Sequence, residues 1–454
     1  MNRICNRTKW LYAFAVAFAA ALIFLYFSFF TNAKTWVVKE YNQHIYSNGH
    51  LVGEGSISDR NGNPLVKTED GKRVYNPDPM VRKATFHTIG DSEGFVATGA
   101  QSAFKSQLTG YSLFNGLYGI QTSDQYNMEL TIDNELSVEA LQAMKSYRGA
   151  VGVYNYKTGE ILCMVSTPTY DPLYKPDINP EATEWNGVYL NRFISGTYTP
   201  GSTFKIITTA SALENVPDIK SQTFSCPGYY QTKSGGKVTC LSRHGRISLR
   251  EALNKSCNST FSQIAAAQLS NEKLTKTAED FGFNKPMDID GIKCATSKID
   301  LSHAYDIDRA WAGIGQYTTM VNPCHEITIL GAIANKTGKT PKPTIIKKDF
   351  YHGEQLEYCS PVIATDLDDL LRSNVVNYYQ DHNFDGLTMC GKTGTAEVAN
   401  GKCHSWFVGY SQREDLPLAI VVIAENTGAS GFEIAIPIAN QVMQKAATIE
   451  NLTK

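Results

Sequence analysis

The chain has 454 residues, 42% of them hydrophobic, which is enough apolar material for a large core and too much for a disordered protein. Its 42 basic and 44 acidic side chains leave a formal net charge of -2, without the basic excess that a nucleic-acid surface needs, so no nucleic-acid partner is expected. The length points to two or three domains, and no internal repeat or low-complexity tract is present.

Residues 10–30 are uncharged and almost wholly apolar, long enough as a helix to cross the ~30 Å hydrocarbon layer. Arg3, Arg7 and Lys9 precede them, which predicts a cytoplasmic tail at residues 1–9 and everything after residue 31 outside the membrane. A cleaved signal peptide is the competing reading, with small Thr31 and Ala33 at the cleavage positions. Its apolar core would span only ~7–15 residues, so the anchor is preferred.

Residues 31–126 are polar and rich in turn signals, at Asn48-Gly49, Asn61-Gly62 and Asn76-Pro77, and are expected to form a small α+β pedestal with short strands such as 55–59. The second domain is expected over 127–454. A strand at 130–133 leads into a helical pattern at 135–144, and strands at 149–156 and 160–166 form a hairpin closed by Lys157-Thr158-Gly159. Pro200 and Gly201 end a long loop, after which Phe204, Ile206, Ile207, Ala210 and Leu213 have the spacing of a buried helix. Helical patterns continue at 249–253, 261–269 and 327–333, followed by three strands at 387–395, 405–410 and 418–424 and a closing helix at 436–447. The fold class is therefore α+β, a sheet made from the first hairpin and the late strands with a helical insertion between them.

Ten cysteines are many, and nine lie beyond the anchor, where disulfides are permitted. Cys226 and Cys240 bracket a Gly/Ser/Lys-rich loop and Cys390 and Cys403 flank a hairpin, so these are the two expected bridges. No Cys/His set has the spacing of a zinc site, His325 beside Cys324 is given a structural role, and neither metal nor cofactor is expected.

Ser202 stands at a helix start, where a serine alone is most simply an N-cap. Lys205 changes that reading, because a side chain three residues on lies one turn above on the same face. A serine hydroxyl becomes a nucleophile when a neighbouring base takes its proton, and a lysine is such a base once burial or nearby positive charge lowers its pKa. Three other Ser-x-x-Lys matches are set aside by context. Ser102/Lys105 lacks the Pro-Gly entry, Ser234/Lys237 contains two glycines, and Ser270/Lys273 has a charged interior that would leave its lysine protonated. Two further motifs are Ser256-Cys257-Asn258 in a helical region and Lys392-Thr393-Gly394 on a late strand, where Gly394 would admit a substrate backbone. Lys157-Thr158-Gly159 reads as a hairpin turn and Lys336-Thr337-Gly338 as a helix end. Taken singly, Ser256 would cap a helix, Cys257 would pack and Lys392 would be a solvated strand lysine.

Together and in this order the three motifs resemble those of the penicillin-recognising serine enzymes. Residues 199–205 are similar to the nucleophile signature of class B penicillin-binding proteins, the monofunctional peptidoglycan D,D-transpeptidases. Residues 149–172, Gly313-Ile314-Gly315-Gln316 and residues 391–397 extend the likeness, and Ile57-Ser58-Asp59-Arg60-Asn61-Gly62 carries it weakly into the pedestal. Glu54-Gly55 stands where the family often has Arg-Gly, and Tyr317 where a glycine is usual.

The resemblance implies a penicillin-binding transpeptidase (β-lactamase-like) fold, an antiparallel sheet flanked by helices with a mainly helical subdomain. It implies that Ser202 attacks the D-Ala-D-Ala carbonyl of a stem peptide, with Lys205 as proton acceptor. Ser256 would pass a proton to the leaving D-alanine, assisted by Asn258 and Lys392; Thr393 and Thr395 would bind the terminal carboxylate. Backbone N–H groups of Ser202 and Thr395 would form the oxyanion hole. β-Lactams would acylate the same serine. The same motifs serve D,D-carboxypeptidases and serine β-lactamases, and a non-catalytic role as a β-lactam sensor or activator of a membrane glycosyltransferase is the alternative of another class. A SEDS-type glycosyltransferase is the protein partner the resemblance suggests.

Overall fold

The computed structural model describes residues 2–36, 46–47, 50–51, 54–69, 72–111, 126–179, 183–348, 353–398 and 401–453. The expected turn at Asn48-Gly49 lies outside them. The apolar N-terminal run is one helix, α1 (Asn2–Trp36), whose segment Arg7–Ala33 is long and apolar enough to span a bilayer and has none of its most apolar window buried in protein. Large side chains such as Trp10, Phe14 and Phe24 therefore face outward, which fits a single-pass membrane anchor.

The pedestal contains a four-stranded sheet of β1 (Ile57–Ser58), β2 (Pro64–Glu69), β3 (Lys72–Tyr75) and β4 (Met128–Glu129), in the order β3-β2-β1-β4. Asn61-Gly62 makes the β1–β2 turn, tied by Asp59 Oδ1 accepting from the N–H groups of Asn61 (2.9 Å) and Asn63 (2.8 Å). Helix α2 (Pro79–Ile89) starts where Asp78 caps Met80 N–H, with Pro79 in the first turn. The sheet takes its fourth strand from the far side of the expected seam at residue 126, and β4 pairs in parallel with β1. Glu54 stands 3.4 Å from Arg73, so the position that departs from the family is occupied by one half of an ion pair.

The strand expected at 130–133 does not form. Leu130 makes one isolated bridge, and Asp133 turns the chain by accepting Leu136 N–H at the start of helix α3 (Asn134–Met144). Strands β5 (Gly149–Asn155) and β6 (Ile161–Thr167) form the expected hairpin. The nucleophile segment is a 3-10 turn, Gly201–Phe204, running into α4 (Lys205–Asn215). Four short strands follow, β7 (Thr223–Cys226), β8 (Tyr229–Gln231), β9 (Lys237–Thr239) and β10 (Gly245–Ser248), paired as two separate ribbons, β7 with β10 and β8 with β9. Helices α5 (Leu249–Asn254), α6 (Asn258–Gln263), α7 (Asn271–Asp280), α8 (Asp306–Ala312), α9 (Pro323–Ala334) and α10 (Pro361–Asn374) complete the helical part. The helix expected at 261–269 is split, because α6 passes into a π turn at Ile264–Gln268.

Strands β11 (Met389–Glu397), β12 (Cys403–Ser411) and β13 (Leu418–Ala424) join the hairpin in a five-stranded antiparallel sheet ordered β11-β12-β13-β5-β6. Helix α11 (Gly431–Thr448) closes the chain. The sheet is covered on both faces. Val151, Val153, Ile420 and Val422 pack with α3 and α11, while Ala150, Tyr154, Val421 and Ile423 pack toward α9 and the helical part. That is why residues 418–424 read as an unbroken apolar run rather than an alternating one. β11 stands at the end of the order, so one of its edges remains unpaired beside the Ser202 turn.

All nine cysteines from Cys163 to Cys403 are free thiols. A Cys390–Cys403 bridge is ruled out by register. Cys403 pairs with Glu397 and Cys390 lies seven residues further along β11, roughly 23 Å at the usual strand rise. Cys226 and Cys240 do approach each other, but as members of a larger cluster and not as a disulfide.

Candidate active site

The Ser202 turn is clamped by backbone. Gly201 has φ +57, its N–H donates to Gly315 O at 2.9 Å, and the indole N–H of Trp406 reaches Thr199 O at 3.1 Å. A Cβ on Gly315 would lie 2.0 Å from Gly201 O, and one on Gly394 would lie 2.6 Å from Pro200 O. Gly394 is thus required by the nucleophile turn packed against β11, a packing reason that stands beside its expected role of admitting a substrate backbone. Ser202 itself caps nothing; Pro200 holds the cap position of the 3-10 turn.

Three motifs far apart in the chain meet at two buried amines. Lys205, fully buried, has its Nζ 3.1 Å from Ser202 Oγ, 2.7 Å from Ser256 O, 3.1 Å from Ser256 Oγ and 2.8 Å from Asn258 Oδ1. Lys392 is also fully buried, and its Nζ donates to Ser256 Oγ (3.1 Å), Thr393 O (3.0 Å) and Tyr379 OH (3.3 Å). Burial drives the Lys205 amine well below its ordinary pKa, because the charged form loses water, and the neighbouring Lys392 charge pushes the same way. Burial alone brings Lys392 down to about 7. A hydroxyl at hydrogen-bond distance from an amine that sheds its proton easily is the arrangement that activates a serine. Neither lysine is a solvated surface group.

Ser256 occupies neither helix, but the turn between α5 and α6, at φ +50. Asn258 opens α6 and donates from Nδ2 to Thr239 O at 3.2 Å, so the β8–β9 ribbon braces the side chain that meets Lys205. Ser202, Ser256, Asn258, Thr393 and Thr395 line one cleft of about 720 Å3, and the buried amines of Lys205 and Lys392 contact its serines, Lys205 both Ser202 and Ser256 and Lys392 Ser256. Trp311, Tyr378, Phe432 and Leu241 supply the apolar rim.

Several residues of the site carry no sequence signal. Tyr379 accepts Thr393 N–H (2.9 Å), shares a 2.7 Å hydrogen bond with Thr393 Oγ1 and receives Lys392; it comes from a π turn at Val375–Tyr379 in no recognisable motif. Asn374 Nδ2 holds Gly391 O at 2.7 Å. Glu326, buried in α9 behind Thr203, is raised to about 7 by desolvation. The set-aside motifs behave as local structure. Ser270 Oγ caps Lys273 N–H, Ser234 sits in the β8–β9 turn bonded to Asp306, and Ser102 and Lys105 fall in two separate one-turn helices. His325 is structural, bonded to Ser297 Oγ (2.7 Å) and Phe281 O (2.8 Å). Cys226, Cys240, His244 and Cys257 lack the sequence spacing of a zinc site, yet folding brings their donor atoms within 4.8 Å of one another.

Residues 149–444 match the penicillin binding protein transpeptidase domain family. The chain is 29% identical over 426 residues to the peptidoglycan D,D-transpeptidase PbpA of Mycolicibacterium smegmatis, covering 82% of this chain and 84% of that one. It is 27% identical to stage V sporulation protein D of Bacillus subtilis, covering 84% of this chain and 66% of that protein. Among solved structures, penicillin-binding protein A from M. tuberculosis in its penicillin G acyl-enzyme complex superposes with a TM-score of 0.73 at 26% identity, covering 87% of this chain and 99% of that one.

Proposed function

The chain belongs to the penicillin-binding protein transpeptidase family and is a peptidoglycan D,D-transpeptidase that β-lactams acylate, and we propose that Ser202 is the residue that carries the acyl group. The observation that carries this assignment is the shared amine. Lys205 Nζ lies 3.1 Å from both Ser202 Oγ and Ser256 Oγ, in a buried position that favours its neutral form.

Neutral Lys205 takes the Ser202 proton as Oγ attacks the carbonyl of the penultimate D-alanine in a stem peptide. Ser256 Oγ, bonded to both lysines, hands a proton to the departing D-alanine nitrogen, and Asn258 keeps Lys205 aimed. Cationic Lys392 and the Thr393 and Thr395 hydroxyls receive the terminal carboxylate. The N–H groups of Ser202 and Thr395 hold the oxyanion, and the amine of a second stem peptide then takes the acyl group. Two carboxylates line the cleft, Glu433, engaged by Ser430 in a capping box, and Glu397, exposed at the end of β11; slow hydrolysis of a β-lactam adduct is the outcome expected of a transpeptidase rather than a lactamase.

Arg3, Arg7 and Lys9, at the start of α1 and ahead of its apolar run, favour a cytoplasmic N-terminus and a cleft outside, which a reporter fused at either end tests. A SEDS-type glycosyltransferase is the proposed membrane partner, to be sought by copurification with the full chain in detergent. The decisive assay for Ser202 is labelling of the full chain with a fluorescent penicillin. Stoichiometric, long-lived labelling is expected in the wild type and none in Ser202→Ala; labelling that survives the substitution refutes the assignment.

A further inference from the structure

Beside the cleft, four donors from three segments converge, two of them from the β9–β10 connection. Cys226 ends β7, Cys240 follows β9, His244 precedes β10 and Cys257 caps α6. His244 Nδ1 lies 3.5 Å from Cys226 Sγ and 3.6 Å from Cys240 Sγ, and Cys240 Sγ lies 3.8 Å from Cys257 Sγ. A tetrahedron with zinc–sulfur bonds of about 2.3 Å and zinc–nitrogen bonds of about 2.0–2.1 Å has edges of about 3.8 Å between sulfurs and about 3.5 Å between sulfur and nitrogen. The three measured edges match those values. Cys257 Sγ in addition accepts from Thr260 N–H at 3.4 Å and Thr260 Oγ1 at 3.3 Å, the outer hydrogen bonds that support a ligating thiolate.

We propose that Cys226, Cys240, His244 and Cys257 bind one zinc ion, and that this ion holds Ser256 and Asn258 against Lys205. A Cys3His set around a tetrahedron is a closed structural zinc site, with no position left for substrate. Binding releases three thiol protons and leaves the complex with a net charge of -1. Cys226 and Cys257 are buried, while Cys240 and His244 are partly exposed and give the ion its way in.

The local architecture explains what the ion does. The two ribbons have three or four residues per strand, and isolated two-stranded ribbons are marginal in water. Yet they carry Thr239, whose carbonyl receives Asn258 Nδ2, and Leu241, 93% exposed at the cleft rim. Cys257 lies between Ser256, at φ +50, and Asn258, so a bond from its sulfur to a fixed ion pins both neighbours. Four ligands from three segments tie the ribbons to the active-site turn, adding to the few side chains, Phe224, Val238 and Ile247, that the ribbons bury in the core.

The test uses the full chain purified in detergent under reducing conditions. One equivalent of zinc per chain is expected by elemental analysis, also in Ser202→Ala, so that this inference and the assignment of Ser202 stand or fall separately. Cobalt replacing zinc should give the absorption of a tetrahedral thiolate complex. His244→Gln and Cys226→Ser should lose the zinc, and Cys359→Ser, a thiol outside the cluster, should keep it. Chelation should slow fluorescent-penicillin labelling by tenfold or more, with recovery on adding zinc back. A metal-free chain that takes up neither zinc nor cobalt, a Cys240–Cys257 disulfide in the active protein, or labelling indifferent to complete zinc removal would overturn the proposal.

Discussion

Ser202 and Ser256 both face Lys205, but different kinds of structure deliver them. The Ser202 turn is pressed between β11 and Gly315 on the flank of a sheet whose strands are buried on both faces, and its position follows from close packing of backbone and side chains. Ser256 arrives on a turn at positive φ, supported by thin ribbons and a few specific attachments: Lys205, Lys392, the Asn258–Thr239 bond and the Cys/His cluster. Packing fixes a residue wherever a core is available. Where strands are short and packing is thinner, polar links add to it one at a time, and each is a separate point of failure.

Lys205, where the two regions meet, should give the largest effect. Lys205→Met preserves the stem and removes the base, and acylation by a fluorescent penicillin should slow by about 10^2–10^4-fold without unfolding; a change under threefold would mean that another group takes the proton. On the packed side, Gly315→Ala should cost more than about 3 kcal/mol in denaturant unfolding, since positive φ alone costs roughly 1–2 kcal/mol and the new Cβ collides with Gly201 O. Gly235→Ala, in the β8–β9 turn at φ +93 with open space around it, should cost only the backbone part, about 1–2 kcal/mol. Equal losses at the two glycines would erase the contrast between the regions.

The two amines predict a bell-shaped pH profile of acylation. Lys205 must be neutral to accept a proton, so the rate climbs as pH rises through its lowered pKa. Lys392 must be charged to receive a carboxylate, so the rate falls as pH passes about 7, where burial has placed that group. A profile flat from pH 5 to 9 would refute this division of roles. Tyr379→Phe removes the hydroxyl that receives both Thr393 N–H and Lys392; a loss of about 0.5–1.5 kcal/mol, up to roughly tenfold in acylation rate, is expected. The smallest effect belongs to Tyr317, 48% exposed at φ +63, where glycine is free of strain. Tyr317→Gly should gain up to about 1 kcal/mol in stability after the entropy cost of glycine.

Most of the sheet and the three motifs were legible because their signals are local. Unbroken apolar runs marked β13 and the hairpin, and Pro-Gly before an apolar helical pattern marked the Ser202 turn. The failures share the opposite cause. Leu130 to Asp133 read as a strand, but Asp133 is used as a cap. Ser256 read as helical, but stands in the turn that frees its hydroxyl for two lysines. Tyr379 and Asn374 belong to the site through contacts with residues 12 or more positions away, which no spacing rule encodes. The cysteines were paired by proximity in sequence, and register then put Cys390 and Cys403 far apart while ribbon pairing brought Cys226, Cys240, His244 and Cys257 together.

Residue order by itself determined the chemistry on offer: a serine with a lysine one helical turn away, a second serine with an asparagine two residues on, a lysine on a strand, and an apolar helix ahead of them all. Only the tertiary structure decided that these groups share one cleft, that both amines are dry enough to give up protons, and that a thiol–imidazole cluster stands behind Ser256. Side-chain spacing is set by local backbone geometry, whereas pKa values and ligand sets depend on distances between segments that only folding brings within a few ångströms.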